Sequence, residues 1–397
     1  MALLVLVGCK SSGSGGSSSD AGPKDLTVGL LVPLTGPLGS WGADWQRAYQ
    51  LAADEINESG LLPGGGEVKV VVEDEGGNPE QAIRAATKMI QVNHVAAILG
   101  PTSDTIIALN QLASSNQVPV VSPAAGTVRL DTVGGEWLFR TYPSDSAEGV
   151  AVATYFREQG LQTAALMAEN QESPQGIVKV FGETFKDGGG TIADETTFDS
   201  GQSSYEAELQ NALGSDPELL YLAAGEESAR TILRELSQAG FSGQLGLNGD
   251  LTSKPFLKDV GADLLEGACS GQATPDTSIP EYQRFKQMWE AAYDSEPYVT
   301  ISNAYDSMII VALAAVAAGS NTGEAIQSQL VEVTNAPGDE VHTFADGAKA
   351  LEDGSQIDYQ GASGPLDFND SGTSPLPFTV YCVQGGSWQP VKTYPAG

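Results

Sequence analysis

Short apolar runs alternate with longer segments of helical periodicity through most of the first 273 residues. The first of these runs lie at residues 26–33, 68–74, 95–99 and 118–122. The run at residues 95–99 (VAAIL) is continuously apolar, which is typical of a strand buried on both faces, and strands that alternate with helices form parallel sheets. The alternation begins again after Asp145 and breaks at residues 274–280 (TPDTSIP). The pattern predicts an α/β fold with two doubly wound parallel sheets.

The length and charge of the chain narrow the class of protein further. A chain of 397 residues is too long for one compact core, so we expect about two domains. Its 51 acidic and 19 basic residues give a formal charge of −32, which excludes a nucleic-acid-binding surface. Because the acids are dispersed, they indicate a solvated acidic surface of the halophilic kind; an acidic protein from a non-halophilic source is the alternative.

The N-terminal sequence MALLVLVGC places an apolar stretch before Cys9, and a tract rich in serine and glycine follows to Ser19. This order resembles a bacterial-type lipoprotein signal, in which the cysteine carries the lipid. We therefore expect residues 1–24 to form a signal and a flexible tether, with the protein lipid-anchored to the outer face of the cell membrane. A chance cysteine in a leader is the alternative.

Two further cysteines remain, Cys269 and Cys382. If Cys9 carries a lipid, two cysteines are left, and in an exported protein two cysteines can form one disulfide. Both residues fall in strand-like segments. Two buried thiols explain the same pattern equally well.

The stretch from Gly100 to Thr127 contains two turns that each follow a predicted strand. Both turns carry hydroxyl groups and small residues. Ligands bind outside the carboxyl ends of strands in open α/β sheets, where backbone amides favour anions. The stretch therefore predicts the wall of an anion-tolerant pocket, with two ordinary turns as the alternative.

Several segments resemble, in order, the type I periplasmic binding proteins of the branched-chain amino-acid transport family. The resemblance covers residues from about 25 to 390, and its markers are PLTGPLGSWG, ILGPTS, VPVVSPAAG, FRTYPSD and YQGASGPLDF. It implies two lobes joined by three crossovers near Ser144, Thr274 and Asp367. Lobe one would contain residues 25–143 plus 276–366, and lobe two residues 144–275 plus 367–397.

The same resemblance implies a function. A solute, an amino acid or a small amide, would lie between two closing lobes of a monomer. A membrane permease and an ATPase of an ABC importer would recognise the closed form, without a cofactor and without covalent chemistry.

The resemblance also carries site residues onto this sequence. Ser103, next to Thr102, corresponds to the seat of the ligand carboxylate; the carbonyl of Ala124 and the carboxylate of Asp250 correspond to the seat of its ammonium group. Trp41 would cover the ligand.

The chain departs from the family pattern at several of these positions. Gly126 stands where a threonine is expected, with Thr127 one place later, and Ser173 and Gly225 stand where aromatic residues are expected. Asp104 disfavours a second anion beside Ser103 unless it turns away as a helix cap. A larger, more polar or differently charged ligand is therefore as well supported as leucine or valine.

A sensory protein and a hydrolase are the two other functional classes that the sequence brings into question. A sensory binding module of the same fold is the main alternative. The segment GACSG around Cys269 mimics the nucleophile turn of a hydrolase but is not followed by a helix pattern. His94 and His342, the only histidines, stand apart, so no metal site is predicted.

Overall fold

The computed structural model describes residues 24–36 and 38–395. The predicted signal and tether, including Cys9, lie outside these residues apart from Lys24. Within the described residues the α/β prediction is confirmed, with two large sheets that each carry helices between their parallel strands.

The first sheet is entirely parallel. Its strands are β1 (Leu26–Val32), β2 (Val68–Asp74), β3 (Ala97–Leu99), β4 (Val120–Ser122) and β5 (Leu138–Arg140). The helices between them are α1 (Gly39–Ser59), α2 (Pro79–Gln91), α3 (Ser103–Ile106), α4 (Asn110–Asn116) and α5 (Leu130–Val133). The strand order is β2-β1-β3-β4-β5, so the direction of winding reverses beside β1, as in other doubly wound sheets.

The second sheet begins with five further parallel strands. They are β6 (Thr163–Glu169), β7 (Thr191–Phe198), β8 (Leu219–Ala223), β9 (Gln244–Leu247) and β10 (Cys269–Ala273), in the order β10-β9-β8-β6-β7. The accompanying helices are α6 (Asp145–Glu158), α7 (Glu172–Asp187), α8 (Glu206–Leu213), α9 (Glu226–Ala239), α10 (Lys254–Val260) and α11 (Ala262–Leu265). The sequence pattern does not predict α10 and α11, because helices this short show too few turns for a periodicity to be visible.

The chain then returns to the first sheet. The returning elements are α12 (Pro280–Tyr293), α13 (Val299–Ala318), α14 (Gly323–Gln327), β11 (Asp339–Val341), α15 (Phe344–Glu352), β12 (Ile357–Gly361) and β13 (Gly364–Pro365). The apolar side chains of α13 join those of α1 and β1 in one buried core. Asp306 of α13 is buried and fixes the β12–β13 turn, since it accepts hydrogen bonds from the Tyr359 hydroxyl (2.9 Å) and the Ala362 amide (3.0 Å).

Helix α13 is also long and apolar enough to cross a membrane, over Thr300–Ala318, the only such helix among the described residues. Of that segment, 83% is buried inside the protein. Its position is that of a core helix.

The last part of the chain touches both sheets. Residues 366–374 remain with the first: the Arg140 amide donates to the Gly372 carbonyl (2.8 Å), and the Ser374 amide donates to the Arg140 carbonyl (3.1 Å). The final hairpin, β14 (Phe378–Gln384) and β15 (Ser387–Tyr394), then adds two antiparallel strands beside β10. The second sheet is therefore parallel except at this edge.

Cys269 of β10 and Cys382 of β14 are directly opposed in the antiparallel register. Their Cα atoms lie 4.0 Å apart and their sulfurs form a disulfide. The bond closes the hairpin onto the second sheet across a sequence separation of 113 residues.

Candidate functional site

The predicted site residues lie at the carboxyl ends of parallel strands in both sheets. From the first sheet come Trp41 after β1, Thr102 and Ser103 after β3, and Ala124, Gly126 and Thr127 after β4. From the second come Ser173 after β6, Gly225 after β8 and Asp250 after β9. These are the positions at which doubly wound sheets bind ligands.

The two turns of the first sheet are tied to each other. The Thr127 amide donates to the Ser103 hydroxyl oxygen (3.2 Å). The Ser122 hydroxyl donates to the Pro101 carbonyl (2.6 Å) and accepts from the Ala124 amide (3.2 Å). The structure therefore brings Ser103, Ala124 and Thr127 together as one wall.

Glu75, to which the sequence pattern assigns no role, is buried directly against this wall. Its carboxylate accepts from the Thr102 amide (3.2 Å) and from the Thr105 hydroxyl. Burial raises the pKa of Glu75 to about 7 although these hydrogen bonds act in the opposite direction. The Thr102 amide is thus engaged by an internal carboxyl group. The Ser103 hydroxyl is the group of this turn that remains for a ligand carboxylate.

Asp104 binds the second sheet's helix α7, so its carboxylate is engaged there as a helix cap. Its Oδ1 atom accepts from the Glu172 amide (3.2 Å) in the first turn of α7, so it caps a helix of the second sheet rather than its own. A carboxylate is favourable at this end of a helix. Burial nevertheless raises the pKa of Asp104, and the nearby carboxylate of Glu172 adds to the effect.

Glu172 joins the two sides of the cleft, the region between the strand-end turns of the first sheet (Thr102 to Thr127) and those of the second (Ser173, Gly225 and Asp250). The Thr127 hydroxyl donates to its Oε1 atom (2.9 Å), and the Arg129 guanidinium lies 3.4 Å from its Oε2 atom. Together with the Asp104 cap, these contacts close one side of the cleft. Sequence reasoning misses Glu172, because its partners are 43 to 68 residues away in the chain.

The carboxyl group of Asp145 occupies the space beside Gly126 where the expected threonine side chain would lie. A Cβ atom built on Gly126 would approach Asp145 Oδ1 to 1.8 Å. The Asp145 amide also donates to the Gly126 carbonyl (2.8 Å), which fixes the start of α6 against this turn. The position of the Asp145 carboxyl group therefore requires a residue without a side chain at position 126.

We expect Gly126→Ala to lower the free energy of unfolding by about 1–3 kcal/mol, because the added methyl group displaces a buried carboxyl group. The double variant Gly126→Ala/Asp145→Ala should be less destabilised than the sum of the two single variants, with a coupling of about 0.5–3 kcal/mol. Chemical denaturation of all four proteins measures this cycle. Gly225→Ala is the control, since its Cβ atom would meet only Glu169 Oε2, at 3.4 Å. Strictly additive effects would contradict the steric dependence.

Asp250 projects from the turn after β9. The Asn248 side-chain amide donates to Asp250 Oδ2 (3.3 Å) and, through its carbonyl oxygen, Asn248 accepts from the Ala224 amide (3.1 Å). The Gly225 amide donates to Glu169 Oε2 (2.7 Å) in the same group of turns. Solvent still reaches the Asp250 side chain, but the surrounding protein and the Glu226 carboxylate raise its pKa to about 6.

Glu148 is a further buried acid that the sequence pattern leaves without a role. Its Oε1 atom accepts from the Gly249 amide (2.8 Å) and from the Tyr221 hydroxyl (3.5 Å). Burial raises the pKa of Glu148 well above its usual range, and the carboxylates of Asp145 and Asp250 raise it further. A sequence signal exists: Asp145 and Glu148 are three residues apart at the start of α6, and such residues share a helix face.

Trp41 contributes an aromatic ring from the first turn of α1. Its ring contacts Tyr298 (centroids 5.6 Å apart) and Trp45 (6.3 Å apart), and it is half-buried. The structure thus adds Tyr298, which sequence reasoning misses, to the aromatic side of the site.

Polar groups from the strand ends of two doubly wound lobes meet at one cleft, an arrangement that defines a protein binding a small molecule between its lobes. The chain belongs to the periplasmic binding protein family, whose model matches residues 25–370.

Relatives with curated names support this assignment. The chain is 26% identical over 373 residues to the chemotactic signal transduction system substrate-binding protein BasB of Halobacterium salinarum, covering 90% of this chain and 86% of the relative. It is also 26% identical to the Leu/Ile/Val-binding protein BraC3 of Rhizobium johnstonii, covering 65% of this chain and 70% of the relative. These relatives are solute-binding proteins rather than enzymes.

Solved structures share the fold. A leucine-binding protein LivK from Thermotoga maritima has a TM-score of 0.78 at 23% identity, covering 93% of this chain and 99% of that one. The branched-chain amino-acid binding protein LivJ from Streptococcus pneumoniae, in complex with isoleucine, has a TM-score of 0.76 at 22% identity, covering 94% and 100%. A solute-binding protein from R. palustris in complex with benzoate also has a TM-score of 0.76, at 20% identity, covering 94% and 97%.

Proposed function

We propose that this chain is the extracytoplasmic solute-binding protein of an ABC importer and that its lobes close on an amino acid or a small amide-like solute. The observation that supports this most directly is the contact across the cleft, where Glu172 of α7 meets Thr127 and Asp104 at the strand ends of the first sheet. A ligand that favours the closed form would shift the equilibrium between open and closed lobes toward it.

We propose the lobe division that the sequence predicts, with one adjustment. The first two crossovers lie near Ser144 and Thr274. The third was expected near Asp367, but residues 368–374 are hydrogen-bonded to Asn335 and Arg140, on the first sheet. The crossover therefore belongs after Ser374, immediately before β14.

The ligand would be held by its charged ends. A carboxylate would take the Ser103 hydroxyl, while an ammonium group would lie between the Ala124 carbonyl and Asp250. The rings of Trp41 and Tyr298 would cover the rest of the molecule. Support comes from the position of Ser103, Ala124 and Asp250 after the carboxyl ends of parallel strands, and from the contact between the rings of Trp41 and Tyr298.

We also propose that the protein works at the outer face of the cell membrane, as a lipid-anchored monomer, with a permease and an ATPase as partners. Cys9, the predicted attachment site, lies outside the described residues. Membrane fractionation of cells producing the Cys9→Ser variant tests the anchor, since an unanchored chain should leave the membrane fraction.

A sensory role is the second candidate, because the relative from Halobacterium salinarum is named as part of a chemotactic system. The two roles separate in cells that lack this protein. Loss of uptake of the ligand supports the importer, whereas loss of the motility response with unchanged uptake supports the sensory role.

Thermal unfolding against a panel of amino acids, amides, ureas and short peptides tests the binding function itself. A ligand at 100 times its dissociation constant stabilises the native state by about 2.7 kcal/mol, which gives a visible shift. We expect the shift to disappear in Asp250→Ala if the ligand carries an ammonium group. The matched control is Glu183→Gln, an exposed acid on α7. A panel without any shift would contradict the proposal.

A further inference from the structure

One carboxylate oxygen of Asp145 is buried where the two sheets meet, without a hydrogen-bond partner in the part of the chain that the structure describes. The residue is only 6% exposed, and its Oδ2 atom has no hydrogen-bond partner among the described residues. The carboxyl group lies against Gly126 at the end of β4 and interacts with the Ser173 hydroxyl at the start of α7. It is therefore placed between the strand ends of the two sheets.

Two further carboxyl groups lie close to it. Glu148 lies one turn further along α6, and its Oε1 atom accepts from the amide of Gly249, the residue before Asp250 (2.8 Å). The carboxylates of Asp145 and Asp250 accordingly raise the pKa of Glu148. The phenol of Tyr142 belongs to the same region, since the carboxylates of Glu148, Asp145 and Asp250 all raise its pKa after the effect of burial.

No cationic side chain among the described residues forms an ion pair with Asp145, Glu148 or Asp250. Arg140 acts electrostatically on Asp145 but is already engaged: it pairs with Asp131 and donates to the Thr127 carbonyl (3.0 Å). Arg230 is likewise engaged, because it pairs with Glu226 at 2.5 Å. Asp145 and Glu148 are buried, and a buried carboxylate without an ion-pair partner is costly, so a complementary charge is expected from outside the chain.

The arrangement does not suit a metal ion. Within residues 24–36 and 38–395 no group of three or more His, Cys, Asp or Glu side chains is placed to hold one. Carboxylates that interact electrostatically without converging on one point fit a larger cation, whose several N–H donors can reach them separately.

We propose that the ligand is a small organic cation with an ammonium or guanidinium side group, and that this group is bound by Asp145 and Glu148 beside Asp250. The proposal rests on the proposed solute-binding function and specifies its ligand class. Asp250 alone can balance one ammonium group. The two acids of α6 therefore supply the charge for a second one, and Tyr142 adds an aromatic surface of the kind that favours cations.

The test compares L-arginine with L-citrulline, which has nearly the same shape but a neutral side chain. Titration calorimetry on the full chain carrying Cys9→Ser should give an affinity for arginine at least about 30-fold higher than for citrulline, as expected for a desolvated charge pair. L-lysine should follow arginine, and L-leucine should follow citrulline.

The isosteric variants Asp145→Asn and Glu148→Gln should each lower the affinity for arginine about 30-fold or more and leave that for citrulline unchanged. The control is Glu183→Gln, which removes the same charge from an exposed position on α7. Circular dichroism verifies that each variant is folded, and either acid can be tested if the other variant does not fold.

The outcomes distinguish the two proposals. If leucine or citrulline binds as tightly as arginine, or if the variants weaken both ligands equally, the cationic-ligand proposal is overturned while the solute-binding function stands. If no amino acid, amide, urea, peptide or amine binds, both proposals fail.

Discussion

Removing the disulfide between Cys269 and Cys382 is expected to lower the free energy of unfolding by about 2–5 kcal/mol. The bond closes a loop of 113 residues, and the loop includes the whole excursion of the chain from β10 through the first lobe and back to β14. In the chain-entropy model a loop of about 100 residues corresponds to roughly 4.7 kcal/mol. The β14–β15 hairpin depends on the bond most directly, because it lies at the edge of the second sheet.

Urea unfolding of the Cys269→Ala/Cys382→Ala variant measures this loss. Every protein in this comparison also carries Cys9→Ser, which removes the third thiol. The wild-type pair should respond to a reducing agent, whereas the double variant should be unaffected by it. Equal stability of oxidised and reduced wild-type protein would contradict a structural role for the bond. Hydrogen exchange should locate the loss first in β15, which is the exposed edge strand, and in β14, which the bond joins to β10.

The fold was accessible from the sequence because its elements are locally specified. Buried strands such as β1 and β8 are continuous apolar runs, and Asn78 followed by Pro79 marks the start of α2 by cap chemistry alone. The antiparallel edge of the second sheet was not accessible in the same way. Its pairing joins Cys269 to Cys382 after the chain has left the lobe and returned, and no local pattern reports that.

The sequence predicts the candidate site only through one rule: ligands of doubly wound sheets bind at the carboxyl ends of the strands. That rule brings together Ser103, Ala124 and Thr127, which the structure places on one wall. It does not reveal Glu75 or Glu172, since both act through partners on other elements. For such residues the sequence shows the carboxyl group but not the residues that it contacts in the fold.

The departure at Gly126 illustrates the same limit. From the sequence, the glycine is a missing threonine that leaves ligand specificity open. In the structure, the space is filled by the carboxyl group of Asp145, 19 positions further along the chain. Where the family pattern has a neutral hydroxyl group, this chain therefore places a carboxyl group. The proposed cationic ligand rests on that exchange.

Asp145→Asn is therefore expected to stabilise the unliganded protein at alkaline pH. Burial raises the pKa of Asp145 to about 7, whereas in the unfolded chain the group ionises near its ordinary value, at about pH 4. Between these two values the native state holds a proton that unfolding releases. This contribution to stability is fully present below about pH 4 and is lost as the pH rises through about 7.

The expected gain at pH 8 is on the order of 2–4 kcal/mol, because asparagine has no charge to bury. At pH 4 the gain should be close to zero. The groups that face Asp145 and contribute to its pKa are Ser173 on α7, Arg140 at the end of β5, Asp250 after β9 and Asp131 on α5. Glu148 on the same helix is coupled to it as well.

Denaturation at several pH values between 4 and 8 tests the expectation in wild type, Asp145→Asn and the exposed-charge control Glu183→Gln. The stability of the wild type should fall toward pH 8 more steeply than that of Asp145→Asn, whereas Glu183→Gln should follow the wild type. Glu75, with a pKa raised to about 7, is present in all three proteins and cancels from the comparison. An Asp145→Asn variant that is less stable than wild type at pH 8 would mean that the carboxylate already has a stabilising partner in the unliganded protein. If instead the variant is more stable but no longer binds the ligand, the cleft keeps an uncompensated charge at the expense of its own stability, and the ligand supplies the compensation.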